Sequence, residues 1–169
     1  MKIGFVSVLA AMAVGVAWGQ VGASSKADPR LRNTLNEAGL KYTETESGNC
    51  KLHFTMESGR THIVVAETAT QRMGPMEIRE IWAVGWKGPQ EPNALVANRL
   101  LKDNARKKVG AWEIIQQNDG SWIAIFNVKV SSDCGAEALK TIVWGIATTA
   151  DEMEKSLEDA KALANVDEF

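Results

Sequence analysis

The chain has 169 residues, 45% of them hydrophobic and 24% charged, with a formal net charge of −2. That apolar content excludes a disordered chain and supports one modest globular core. The balance of 19 basic against 21 acidic residues excludes the cationic surplus of a dedicated nucleic-acid binder.

Met1-Lys2 followed by the uncharged run Ile3–Ala17 has the basic and apolar regions of a secretory signal. The run is shorter than the roughly 20 apolar residues a membrane-crossing helix needs. Small residues in Ala17-Trp18-Gly19 provide a cleavage motif with Gln20 as the first mature residue, and Val21-Gly22-Ala23 is a second candidate. A periplasmic or secreted protein with no membrane attachment after cleavage is expected; an uncleaved anchor or a buried helix is the alternative. Removing 19 of the 169 residues leaves 150, with 18 basic against 21 acidic groups and a net charge of −3.

Residues 20–28 read as a polar linker ahead of a domain over 29–164, with a tail at 165–169. Pro29 opens a short helix, Arg30–Ala38, closed by Gly39 and striped by Leu31 and Leu35. Cys50–Met56 alternates as a half-buried strand, with Cys50, Leu52, Phe54 and Met56 inward. A Ser58-Gly59 turn predicts a return strand, Thr61–Glu67, with Ile63 and Val65 opposite Phe54 and Leu52. A loop, Thr68–Pro75, leads to a third strand, Met76–Trp86, whose Ile78, Trp82, Val84 and Trp86 face the core, with Glu80 breaking the pattern.

Asn93 caps a second helix that runs to Lys107 or Lys108. Val96, Ala97, Leu100, Leu101 and Ala105 form its apolar side; Arg99, Lys102 and Arg106 lie opposite. Ala111–Gln117 and Trp122–Val130 form a hairpin around Asp119-Gly120. Ser131-Ser132-Asp133 marks a stop and a helix cap. Leu139, Ile142, Val143, Ile146, Ala150, Met153, Leu157 and Ala160 then recur as one long helix or two collinear ones. The expected fold is α+β, an antiparallel five-stranded sheet with helices in the order α-β-β-β-α-β-β-α.

That order, with Asn98-Arg99 in the middle helix, the strand pair within Lys107–Val130 and the closing helix Gly135–Leu157, resembles the YbjN family. The resemblance spans roughly residues 28–160 and implies the architecture of type III secretion chaperones. Leu101 stands where the family pattern has a second Asn. The family is not known for a catalytic activity, so the resemblance implies a binding or regulatory module, chaperone-like and homodimeric.

The last hairpin is the most informative segment, because it is apolar on both sides. With Asn118 opposite Ser121, one face carries Ile115, Trp122, Ala124, Phe126 and Val128, and the other carries Trp112, Ile114, Ile123 and Ile125. Val64, Ala66, Ile81 and Ala83 extend the second face. Either a helix covers it, through Val96, Leu100 and Leu101, or Trp112, Ile114, Ile123 and Ile125 bind a protein partner or a second copy. Asn98 and Arg99 join them as partner-binding candidates; alternatively Arg99 ties its helix to Glu80 or Glu113.

Other constellations have weaker patterns. His53 and His62 fall on one outward face in the register above and could share a divalent ion, or simply be solvated. An aromatic cleft near Trp82, Trp86 and Trp144 offers a small-ligand alternative, although strand Trp residues also serve packing. In an oxidising compartment Cys50 and Cys134 are expected to pair; a reactive Cys134 or two buried free thiols are the alternatives. No cofactor or catalytic motif is indicated, so the expected protein is not an enzyme.

Overall fold

The computed structural model describes residues 26–164, with side chains as far as Asp159. The expected signal segment, its cleavage sites and the 165–169 tail lie outside the described residues. The elements are α1 (Pro29–Glu37), β1 (Thr43–Glu44), β2 (Cys50–Thr55), β3 (Thr61–Met73), β4 (Met76–Gly88), α2 (Ala94–Asn104), β5 (Ala111–Gln116), β6 (Trp122–Ser131) and α3 (Ala136–Ala164). The α+β class and the antiparallel sheet agree with the sequence. The strand count does not: the sheet has six strands in the spatial order β1-β2-β3-β4-β6-β5. The extra strand, Thr43–Glu44, pairs with Lys51 and Cys50 and is too short to show alternation.

Asp28 caps α1 by accepting from the Arg30 N–H at 2.9 Å, with Pro29 at the first helical position. Asn93 caps α2, accepting from the Val96 N–H at 3.0 Å. This helix ends at Asn104, short of Lys107, because its last side chains are used to dock β5. Asn104 Oδ1 accepts from the Trp112 N–H at 2.7 Å, and Asp103 Oδ2 accepts from Trp112 Nε1 at 2.8 Å. The closing helix is one continuous element of 29 residues. Among the described residues no helix is long and apolar enough to cross a membrane.

Two hairpins depart from the expected register in the same way. Each has a three-residue loop where two residues were expected. Met56 N donates to Arg60 O at 2.9 Å around Glu57-Ser58-Gly59, and Gln117 N donates to Ser121 O at 2.7 Å around Asn118-Asp119-Gly120. Gly59 and Gly120 close these loops at φ of 81° and 82°, left-handed conformations that glycine adopts without strain. The extra residue slips the pairing by one and moves each partner strand to the other face. Phe54 is thus opposite His62 and Leu52 opposite Val64, and Trp112 is opposite Phe126 and Ile114 opposite Ala124.

The expected loop Thr68–Pro75 is strand except at its tip. β3 and β4 continue to a two-residue Gly74-Pro75 turn, with Met73 paired to Met76. Polar, exposed residues on both faces of this ribbon hide it from a pattern search. The ladder is interrupted between Ala66 and Thr70, where the register shifts. A second bulge at Gly85, between Val84 and Trp86, places Trp86 on the helix side while Trp82 and Val84 stay on the other. Gly85 has no room for a side chain there: an added Cβ would lie 2.4 Å from the Trp112 ring.

The three helices of the described residues pack on one side of the sheet. Leu31 and Leu35 of α1, Val96 and Leu100 of α2, and Val143, Ile146, Ala147, Ala150 and Met153 of α3 share one core with Leu52, Val64, Ala66, Ile81, Ala83, Ala124 and Phe126. Phe54 meets Trp144 edge-on at 4.7 Å between ring centroids. The result has two layers, helices and sheet, and among the described residues the other sheet face has no helix over it.

Candidate functional site: the open face of the sheet

The alternation of β3, β4, β6 and β5 brings Ile63, Val65, Trp82, Val84, Ile115, Ile123 and Ile125 onto that uncovered face. Val65 and Ile125 are screened by neighbouring side chains. Ile63 is 42% exposed and Ile115 36%, so the patch reaches solvent. Trp82 Nε1 donates to Glu67 Oε1 at 3.0 Å, which fixes the ring against the face. A polar cluster borders the patch: Asn127 Nδ2 donates to Glu80 at 2.7 Å and to Glu113 at 3.1 Å. Lys129 Nζ stands 3.6 Å from Glu80 and 3.9 Å from Glu113. The opposite border is formed by Lys51 and His53 of β2, both exposed.

The structure divides the expected partner-binding residues. Ile123 and Ile125 belong to the open face. Trp112 does not: it is 6% exposed in the core beneath the helices, and Ile114 shares its side of β5. Val64, Ala66, Ile81 and Ala83 are core residues too. The one-residue slip is the cause. The alternative of a covering helix holds for the side carrying Val64, Ala66, Ile81, Ala83 and Trp112, where Val96 and Leu100 pack while Leu101 is exposed; among the described residues no helix covers the face of Ile123 and Ile125. Asn98 and Arg99 lie on α2, away from the patch. Arg99 Nη1 donates to the carbonyl and the Oγ of Ser156, tying α2 to α3 and not to Glu80 or Glu113.

His53 and His62 are on opposite faces and do not form the expected pair. His53 faces outward, while His62 is 5% exposed beneath α3, with Nε2 3.2 Å from Asp151 Oδ1 and 3.5 Å from Glu154 Oε2. Asp151 also accepts from Arg60 Nε at 2.8 Å and Ser58 Oγ at 3.0 Å. The Arg60 hydrogen bond leads in holding the Asp151 carboxyl below its ordinary value, against the opposing effect of burial. Trp82, Trp86 and Trp144 line no common cleft, because Trp82 and Trp144 lie on opposite sides of the sheet. Cys50 and Cys134 are free thiols, not a bridge. Burial pushes the Cys50 thiol up to about 11 and also raises Cys134, so neither is an activated nucleophile.

Sequence reasoning did not anticipate Arg79, which is 2% exposed inside the covered face. Its guanidinium donates to the carbonyls of Glu67 and Thr68, at 3.0 Å for the latter, and to Asp28 Oδ2 at 2.6 Å. These two carbonyls sit where the ladder is interrupted, so the bulge supplies the acceptors and Arg79 satisfies them. Outside, Arg30 bridges Asp28 at 2.9 Å and Glu77 at 2.7 Å. Burial raises the Asp28 carboxyl, but hydrogen bonds from Arg30 and Arg79 outweigh it and hold the group at about 2. The Arg30 and Thr70 hydrogen bonds hold Glu77 at about 2 as well. An arginine two residues from a strand isoleucine of the same parity was the available signal.

The described residues form a two-layer α+β domain, with one side of the sheet closed by helices and the other without a helix from the described residues. No family model matches the chain, and no curated protein matches it. Among solved structures, the fold is similar to YbjN from E. coli, with 13% sequence identity and a TM-score of 0.47 over 77% of this chain and 90% of that one.

Proposed function

We propose that this protein is an exported, non-enzymatic binding module that associates with a second copy of itself through the open sheet face. The observation that carries the reading is that face: among the described residues, Ile63, Val65, Trp82, Val84, Ile115, Ile123 and Ile125 have no helix over them. An antiparallel sheet with one side in water ordinarily presents polar residues there. A contiguous apolar patch with a polar border is the pattern of an association surface.

Charge favours a second copy as the occupant. Lys51 and His53 border the patch on the β2 side; Glu113 borders it on the β5 edge, joined through Asn127 of β6 to Glu80 of β4, and these two carboxylates outnumber the one ammonium between them, Lys129. A two-fold axis parallel to the strands, between two facing sheets, lays the β2 side of one copy over the β5 side of the other. Lys51 then meets the partner's acidic border twice in each dimer. The non-enzymatic reading is supported by how the candidate acid–base groups are used: Glu80 and Glu113 are bound to Asn127, and His62 to Asp151. Export rests on the residues of Met1–Gly19, and the mass of protein recovered from the envelope tests it: a chain beginning at Gln20 is expected, and an intact Met1 contradicts export with cleavage.

Sedimentation velocity on a charge-swap series tests the pairing. Lys51→Glu and Glu113→Lys should each weaken the dimer several-fold, and the double swap should restore it. Additive loss in the double variant, or no response in either single one, overturns the two-fold arrangement.

A further inference from the structure

The groove between α2 and α3 lies on the helical side of the molecule and is independent of the open face. It encloses about 560 Å³, within the range of small-molecule sites. Arg99 and Lys102 of α2 line it one turn apart, and Arg106, two residues beyond the end of that helix, lines it with them. Ser156, Glu152 and the buried Met153 of α3 form the facing wall.

The acids of this groove are already engaged. Asp103 Oδ2 accepts from Trp112 Nε1 at 2.8 Å and stands 3.3 Å from Lys107 Nζ. Glu152 stands 3.7 Å from the same ammonium. Among the described residues Lys102 and Arg106 have no acidic partner within ion-pair distance. Arg99 is held by its two bonds to Ser156, so one guanidinium is fixed at the wall before any ligand arrives. Three cations thus border one concavity in a chain with an acidic surplus overall. A concave site with low-dielectric walls focuses such a field.

We infer that the α2–α3 groove binds a small organic molecule carrying a multivalent oxyanion, phosphate or polycarboxylate. Arg99 offers a positioned planar donor group, Lys102 and Arg106 supply the remaining positive charge, and the Asn98 amide lines the same wall. Met153 and Leu95 provide apolar surface for the uncharged part of the ligand.

Calorimetric titration of the purified protein with pyrophosphate and with citrate, at low ionic strength, tests this. The variant Lys102→Glu/Arg106→Glu is compared with Lys41→Glu/Lys140→Glu, an equal charge change at exposed positions that do not line the groove. Wild type and the control variant should bind, and the groove variant should bind at least tenfold more weakly. Stronger binding of pyrophosphate identifies a phosphate ligand, and stronger binding of citrate a polycarboxylate. No binding of either at millimolar concentration, or equal loss in both variants, overturns the assignment.

Discussion

The two faces of the sheet are built from the same strands and nearly the same residue types, yet they meet different surroundings. Leu52, Val64, Ala66, Ile81 and Ala83 pack beneath three helices and are at most 1% exposed. One residue along each strand, Ile63, Val65, Trp82 and Val84 face outward with no helix above them among the described residues. Side-chain chemistry does not separate the two sets; helix placement does. The contrast teaches that apolar strand residues are only half of a core, and that an uncapped half is a surface for association.

Polar groups follow the same division. On the covered side a buried guanidinium, Arg79, is fully engaged by Asp28 and two bulge carbonyls. On the open side the charges of Glu80, Glu113 and Lys129 remain at the border of the patch. Changes on the covered side should therefore cost folding stability, and changes on the open side should cost association.

The largest effect is expected at Arg79. Arg79→Met leaves the Glu67 and Thr68 carbonyls without their donor and removes a cation from Asp28, a loss of about 3–5 kcal/mol in urea denaturation. A loss below about 1 kcal/mol would show that water replaces the guanidinium. Next come paired truncations. Leu52→Ala should cost about 3 kcal/mol, whereas Ile63→Ala, on the neighbouring strand but the open face, should cost less than about 1 kcal/mol in the monomer. Equal losses would erase the distinction between the faces. Gly85→Ala should cost about 2 kcal/mol, because its methyl group meets the Trp112 ring and the close-packed core must shift.

The smallest effect is on pH dependence. Asp28 has a folded value of about 2, below its ordinary 3.8, so its contribution is complete above about pH 4 and disappears as pH falls through 2. Asp28→Asn should lower stability at pH 7 and make the fall between pH 4 and pH 2 shallower. Glu77, also held at about 2, retains the rest of that slope. An unchanged acid limb in Asp28→Asn would remove Asp28 from the account.

Much of the fold was legible because its signals are local. Pro29, Asn93, and the alternation of Cys50, Leu52 and Phe54 each declare an element within a few residues. The α3 stripe, Leu139–Ala160, does so over about six turns. The faces were harder to read. An Asp119-Gly120 pair fits a two-residue turn as well as the end of a three-residue one, and that single residue decides whether Trp112 lies in the core or on the open face. The apolar character of both sides of β5 and β6 was readable; which side carried the helices was not, because that depends on contacts distant in sequence. Arg79 was hidden for a related reason. Its shared parity with Ile81 marks the covered side, but its acceptors exist only because the β3 ladder is interrupted between Ala66 and Thr70, and no pattern in β3 announces that interruption.

The central claim is that the open face pairs with a second copy of the chain. The most direct measurement is the light-scattering mass of the purified protein beside that of Ile63→Glu/Ile123→Glu, two open-face positions that lie outside the helix-covered core. The account predicts twice the chain mass for wild type, and a monomer with retained far-ultraviolet dichroism for the variant. A monomeric wild type, or a variant that still dimerises, would contradict it.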